Sequence, residues 1–352
     1  MSDRKINIGI LGSGGYGATA CRYLNNTGQF QIVACMDIDA ATARTTAVRE
    51  TAKAYSDLNE FLAHPGMEAV CINTPVLLHA DHTRFCLEAS KHVFVTKPVT
   101  AFIEDGEQIA ELAARKKLAL VVGHHARHTA MSRFIKTLLE TNRLGRLCNV
   151  LATCCSGSGL CQKEGDWRAD PEHNPGGPLL QCGIHTVDTL MSFFGPISHV
   201  MAMMQDNITD FSVVDNTLTL MQFASGIQAC FICNYTTAYM HTMDFFGTEG
   251  NLHVHEHVTD LNRREVYFQL RRSNEHEPWE SLDIPKDSTY PDSHGGVLEK
   301  DFAWQIRSGR FDYGNLKDSI AALSVIHAAV QSHRTGTVVG VEYHSASTTG
   351  GR

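Results

Sequence analysis

Gly12, Gly14 and Gly17 stand at the spacing G-x-G-x-x-G within Gly12-Ser13-Gly14-Gly15-Tyr16-Gly17. That spacing suits one chemistry, the holding of a diphosphate. The first glycine turns the chain tightly, the second lets a pyrophosphate approach the backbone, and the third lets a helix pack closely on a strand. A helix starting there offers free N–H groups and partial positive charge to the phosphates. Asp37 ends the next apolar run, Phe30 to Met36. A carboxylate about 20 residues past the last glycine can accept hydrogen bonds from the adenosine ribose. Its charge repels the extra phosphate of NADP, so NAD is the expected cofactor. Arg44 lies further along and keeps NADP as the lesser alternative. Asp37 also has a plainer reading, as a cap for a helix that starts near Asp39.

Two further side chains fit proton and oxygen chemistry. Lys97 follows the apolar run His92-Val93-Phe94-Val95, where the nicotinamide should lie. An ammonium there bonds the reacting oxygen and stabilises alkoxide charge. Pro98 fixes the chain direction after it, and a cis bond is expected before that proline. His185 is the expected general base, taking an alcohol proton while hydride leaves the carbon. Gln181, His185 and Asp188 are spaced by four and three, so a regular helix carries all three on one face. Gln181 would bond a sugar hydroxyl or orient the imidazole. Asp188 would hold the histidine or bond backbone.

Other clusters are less specific. His124, His125, Arg127 and His128 follow an apolar run, and at least one is expected to reach the substrate cleft. His124 and His125 are the candidates for substrate contact. No nearby Cys or carboxylate completes a metal site there, so none is expected. His253, His255 and His257 alternate and share one strand face. A polar sheet face at a subunit contact is preferred for them over a metal. Trp167 and Arg168 lie in a long loop and are expected to close over the nicotinamide or clamp substrate. Tyr235 and His241 are weaker candidates for sugar contacts.

These residues need elements to position them. Apolar runs at 6–11, 31–36, 68–73, 92–96 and 118–122 alternate with helical patterns, one from Ile103 to Lys117. This alternation means a parallel sheet covered by helices on both sides, with ligands beyond the carboxyl ends of the strands. Three such ends stand out: the glycine loop, Asn73-Thr74-Pro75 and Thr96-Lys97-Pro98. After Gly123 come a helix near 130–142, a strand near 147–153, a loop over 156–177 and a helix over 178–194. Strand-like runs follow at 197–205, 212–223, 226–236, 241–247, 250–257 and 264–271, which predicts one antiparallel or mixed sheet. A polar loop over 273–294 precedes helices over 296–308 and 316–334. The expected division is a dinucleotide-binding domain over 1–123, a substrate-binding and oligomerisation domain over 124–344, and a disordered tail over 345–352.

Composition removes other classes. The 352 residues are 43% hydrophobic, enough for two cores. A net charge of -8 gives nucleic-acid binding no electrostatic support. No apolar run is long enough to span a bilayer, and no signal peptide is visible, so a cytoplasmic protein is expected. Eleven cysteines, scattered mostly in apolar stretches, read as reduced core residues. Cys230 and Cys233 fall on opposite faces of a strand, which argues against a metal or redox pair there.

The chain resembles the glucose–fructose oxidoreductase, inositol dehydrogenase and rhizopine-catabolism (Gfo/Idh/MocA) family over nearly its whole length. The likeness rests on the glycine loop, Asn73-Thr74-Pro75 with His79 and His82, and Thr96-Lys97-Pro98. It continues through Trp167-Arg168, Gly176-Gly177-Pro178, Gly183-Ile184-His185-Thr186-Val187-Asp188 and Gly247-Thr248-Glu249-Gly250. The resemblance implies an N-terminal Rossmann domain and a C-terminal α+β domain with a large, open-faced, mostly antiparallel sheet. It implies oxidation or reduction of a secondary hydroxyl of a sugar, glycoside or cyclic polyol, and homodimers or homotetramers formed through that sheet. Cofactor contacts are then expected from Gly12 to Gly17, Asp37, Asn73, Thr74, Pro75, His79, Thr96, Lys97, Pro98, Arg127, Trp167 and Arg168. Substrate contacts are expected from Lys97, His124, His125, Trp167, Gln181, His185 and Tyr235. Two positions depart from the family pattern. Thr96 replaces a glutamate, and Gln181 replaces an aspartate four residues before the histidine. An amide cannot titrate, so the second change leaves two alternatives to a plain dehydrogenase. One is a redox-neutral glycoside-cleaving enzyme with resident NAD; the other is a non-enzymatic NAD-dependent sugar sensor.

Overall fold

A computed structural model of the chain describes residues 4–163, 165–256, 264–270, 280–283 and 296–343. In chain order the first elements are β1 (Ile6–Leu11), α1 (Tyr16–Asn26), β2 (Phe30–Met36), α2 (Ala40–Glu50), β3 (Lys53–Tyr55) and α3 (Leu58–Leu62). Then come β4 (Ala69–Ile72), α4 (His79–Glu88), β5 (His92–Thr96), α5 (Ile103–Lys116) and β6 (Leu120–Gly123). The second stretch holds α6 (Ala130–Glu140), β7 (Leu147–Cys155), a π-turn (Leu179–Gly183) and α7 (Ile184–Phe194). Strands β8 (Ile197–Gln205), β9 (Asn216–Phe223), β10 (Gln228–Asn234), β11 (Met240–Gly247), β12 (Gly250–Glu256), β13 (Arg264–Leu270) and β14 (Glu280–Leu282) follow. The chain ends with α8 (Val297–Ser308), α9 (Gly314–Thr335) and β15 (Val339–Gly340).

The chain forms two compact units. In the first, six parallel strands lie in the order β3-β2-β1-β4-β5-β6. Alternation along each strand sends side chains to opposite faces, so each face has its own core. Leu11, Val70, Ile72, Val95 and Val122 belong to one. Ile6, Ile8, Ile10, Cys71, Phe94 and Val121 belong to the other. This is the doubly wound Rossmann order.

The expected boundary at 123/124 needs correction. Residues 296–320 belong with the first unit, as do His124 and His125. Leu298, Phe302 and Ala303 of α8 join the Ile6–Ile10 core, and Phe302 stacks on Phe30 with ring centroids 6.0 Å apart. Leu316 and Ile320 of α9 join the opposite core. A return of this kind is invisible to a linear reading, because the apolar face of α8 does not say which sheet it covers. The expected tail, 345–352, and most of the 273–294 loop lie outside the described residues.

His125 and Glu299 bind this return to the sheet. Imidazole Nε2 lies 2.9 Å from Glu299 Oε1, the carboxylate buried and the imidazole half-buried. Gly296 N–H donates to Glu299 Oε2 at 2.8 Å. Burial pushes the Glu299 carboxyl up, but the hydrogen bond and charge of His125 outweigh it, and the group sits below its ordinary range. A carboxylate depressed in the fold stabilises above its unfolded value of about 4.3, and that stability is lost as pH falls through the folded value. Glu299→Gln is therefore expected to cost about 2 kcal/mol near neutral pH. The gap to the parent should close below about pH 4, as thermal melts of both proteins across that range would show.

The second unit is built on a nine-stranded sheet in the order β14-β13-β12-β11-β7-β10-β9-β8-β15. Its pairs are antiparallel except β7 with β10. The mostly antiparallel sheet agrees with expectation, while β14 and β15 are too short to give a sequence signal. Val200, Ala202 and Met204 of β8 point inward and are buried. Helix α7 covers that inner side, with Phe194 edge-on to Phe223 at 5.3 Å. Met201, Met203, Leu218 and Leu220 point the other way and are exposed.

Candidate active site and dinucleotide site

β1 delivers the chain into the glycine turn. Gly12 has φ +83°, and a Cβ placed on it would lie 2.8 Å from the Asn73 carbonyl carbon. A Cβ on Gly17 would lie 2.0 Å from the Gly12 carbonyl oxygen. Only glycine fits either place. α1 then starts at Gly15 with no side-chain cap and no acidic residue in its first turn. An uncapped helix N-terminus beside a glycine turn fits a dinucleotide diphosphate.

The turn is held from three sides. Ser13 Oγ donates to Met36 O at 2.9 Å, and Thr46 Oγ1 donates to Ser13 O at 3.0 Å. Ser13 N–H and Gly14 N–H both donate to Asp37 Oδ2, at 3.0 and 3.1 Å. The second Asp37 oxygen accepts Asp39 N–H at 3.1 Å. α2 is capped by Asp39 itself, which accepts from Ala41 and Thr42. Asp37 thus shapes the glycine turn as well as standing at the end of β2. Asp37→Ala is expected to weaken NAD binding about tenfold with no gain for NADP, because the turn loses its acceptor. Calorimetric titration with each dinucleotide checks this; a switch to NADP would show that charge repulsion was its main role.

Two more strand ends lie beside the turn in this unit. Thr74 Oγ1 lies 3.0 Å from His82 Nδ1. Asn73 Nδ2 donates to Cys71 O at 3.4 Å. Thr96 donates its hydroxyl to Ile72 O at 3.2 Å. The Lys97–Pro98 peptide is cis, and Lys97 is half-buried. His79 joins the two loops: Nδ1 lies 2.7 Å from Pro98 O and Nε2 2.8 Å from Thr74 O. Burial pushes its imidazolium down to about 4, with both carbonyls pulling the other way. The ring is buried, so His79 fixes the loops from below, where the sequence reading had it touching cofactor.

Four further expectations change. His124 is 1% exposed and bonded to Ser319 Oγ at 3.0 Å; His125 is committed to Glu299. His124 is an interior group of the first unit, and the half-buried His125 is tied to a buried carboxylate of the same unit. Tyr235 is 0% exposed, and its hydroxyl donates to Val214 O at 2.6 Å, so it serves the core of the second unit. Arg127 is held by Asp188: Nε donates to Oδ2 at 2.7 Å, while Nη2 donates to Oδ1 and, at 3.3 Å, to the Asp188 carbonyl. Burial raises the Asp188 carboxyl above its ordinary range despite the arginine.

The second unit presents Gln181 and His185 half-buried. Gln181 lies in the π-turn and His185 in the first turn of α7. An i→i+5 turn, a feature frequent at functional sites, therefore stands at Gln181 where regular α spacing was expected. Gly183 lets this segment sit on β10; a Cβ there would lie 3.1 Å from Cys233 Sγ and from the Phe231 ring. Arg168 stacks on Trp167 at 4.4 Å and pairs with Asp166 at 3.5 Å. His241 stacks on Tyr239 with centroids 4.5 Å apart. His253 Nδ1 lies 2.8 Å from Asp244 Oδ1, on the face that His255 shares by register; His257 lies outside the described residues.

The model for "Oxidoreductase family, NAD-binding Rossmann fold" matches residues 6–124, and that for "GFO/IDH/MocA C-terminal domain" matches residues 132–253. This chain belongs to the Gfo/Idh/MocA family. Its glycine turn, Asp37 and uncapped α1 lie within the residues that the NAD-binding Rossmann model matches. Two relatives are scyllo-inositol 2-dehydrogenases of Bacillus subtilis (strain 168). The NAD(+) enzyme is 25% identical over 303 residues, covering 83% of each chain. The NADP(+) enzyme IolW is 24% identical over 361 residues, covering 96% of each. Among solved structures, an NAD binding oxidoreductase from Klebsiella pneumoniae superposes with a TM-score of 0.79 at 21% identity, over 97% of this chain and all of that one. That likeness bears on the fold.

Proposed function

We propose that this member of the Gfo/Idh/MocA family oxidises or reduces a secondary hydroxyl of a sugar, glycoside or cyclic polyol, with NAD as its redox partner. The observation that carries this reading is Lys97, half-buried at the carboxyl end of β5 on a loop that His79 fixes. NAD, when bound, supplies the hydride acceptor or donor. Lys97 bonds the reacting oxygen and stabilises alkoxide charge on it. His185 takes the hydroxyl proton during oxidation and returns it during reduction. Gln181 bonds a neighbouring hydroxyl, because its amide can orient but not titrate. Arg127, tied to Asp188, braces α7. The polyol activities in the relatives' names support a cyclic polyol or pyranose ring.

Mixing the protein with NAD and a panel of inositols, aldoses and glycosides, and following reduced-cofactor absorbance, tests the reading. Turnover on at least one ring polyol is expected. Glycoside cleavage with retained cofactor and no net reduced NAD would transfer the chain to the redox-neutral class. Tight NAD binding with no turnover on any member would favour a sensor. The exposed Met201, Met203, Leu218 and Leu220 support a homodimer or homotetramer through the C-terminal sheet. Among the described residues no helix is long and apolar enough to cross a membrane, and eleven free thiols fit a cytoplasmic setting.

A further inference from the structure

Thr74 is gripped at two atoms by two histidines of one helix turn. Its carbonyl oxygen lies 2.8 Å from His79 Nε2, and its hydroxyl oxygen lies 3.0 Å from His82 Nδ1. Both histidines stand in the first turn of α4, three residues apart, where side chains are neighbours. From the other direction the glycine turn meets Thr74: a Cβ built on Gly12 would lie 2.9 Å from the Thr74 nitrogen. The sheet order β3-β2-β1-β4-β5-β6 changes direction between β1 and β4. Dinucleotides lie in the crevice beyond the strand ends at such a point. Thr74, two residues past β4 and half-buried, stands at that crevice. His79 fixes its backbone, and the hydroxyl is left for His82 to orient.

We propose that His82 is a positioning residue for the cofactor, holding the Thr74 hydroxyl in the rotamer from which it bonds an oxygen of the bound dinucleotide. A hydroxyl has one proton and two lone pairs. The imidazole uses one of these three, and the others stay open to a ribose or diphosphate oxygen. Without the ring, the Thr74 side chain samples its other staggered rotamers. Binding NAD then has to select the right one, at a cost in affinity. Burial pushes the His82 imidazolium below its ordinary range, against the pull of Asp81. Near neutral pH the ring therefore acts by its hydrogen bond and not by charge. The role rests on NAD binding by the first unit and on no particular polyol.

Calorimetric titration of the full-length protein with NAD tests this in the parent, His82→Leu, His82→Asn, Thr74→Val and the double variant His82→Leu/Thr74→Val. His82→Leu is expected to weaken NAD about tenfold, the scale of one such hydrogen bond. Asparagine carries an amide near the place of Nδ1, so His82→Asn should bind NAD close to the parent value. Thr74→Val should lose about the same factor as His82→Leu. The double variant should be no weaker than Thr74→Val, because the imidazole acts through the hydroxyl.

Three results would overturn the role: His82→Leu binding NAD like the parent, His82→Asn as weak as His82→Leu, or a double variant about a hundredfold weaker than the parent. The last is the product of two independent losses, as a merely structural histidine would give. Thermal melts check that each variant is folded. Should His82→Leu not fold, His82→Phe, which keeps a ring without nitrogen, takes its place. A parent without NAD affinity would overturn the NAD reading and this role with it, whereas the three results above overturn the role alone.

Discussion

His185→Ala is expected to lower turnover by about 10²–10⁴-fold with NAD affinity unchanged, since positioned general acid–base groups contribute on that scale. The proton of the reacting hydroxyl then has no acceptor, while the glycine turn, Asp37 and the His79-braced loops are untouched. Lys97→Met should cost about 10²–10³-fold, the scale on which an oxygen-stabilising donor works. The double variant should be little worse than His185→Ala alone. The proposed reaction assigns both groups to one hydroxyl, so removing the second would take away little that the first has not already disabled. Steady-state rates on the best ring polyol, with NAD binding measured in parallel, check this. Near-normal rates in both single variants would remove the site from the mechanism.

Legibility in the sequence followed how local the constraint was. The glycine turn could be read because its cause lies within a dozen residues: a positive φ at Gly12 and contact of Gly17 with the Gly12 carbonyl. The position of Lys97 just past β5 could be read because a strand end is a position in sequence as well as in space. The histidine run at 124 and 125 could not. Residue type says that imidazole suits a cleft, but their partners, Ser319 and Glu299, lie far along the chain on elements with no sequence mark of their destination. Tyr235 was misplaced for the same reason, its acceptor being the Val214 carbonyl. His79 was picked out by the motif, yet its place between two carbonyls depends on how β4 and β5 lie side by side. The π-turn escaped because helical periodicity hardly distinguishes a four-residue turn from one widened by a residue. Arg127 and Asp188 were each noticed alone; nothing in their spacing pairs them.

That pair gives the largest expected change in stability, and the change is asymmetric. Asp188 is 1% exposed, and the Arg127 side chain beside it is also largely buried. Breaking a buried pair by removing one partner costs about 3–5 kcal/mol, because the other charge is stranded. The two charges differ in whether they can be shed. Asp188→Ala strands a guanidinium that does not deprotonate in proteins, so its cost should hold at every pH. Arg127→Leu strands a carboxyl that burial already raises, and loss of the arginine raises it further. An acid whose pKa is higher in the fold binds more protons there, so stability falls as pH rises through that value. Arg127→Leu should accordingly match Asp188→Ala near pH 8 and recover much of its deficit near pH 5. Urea unfolding of the three proteins at both pH values measures this. A deficit in Arg127→Leu that stays constant between them would mean that Asp188 keeps its charge without the arginine, held by backbone and solvent.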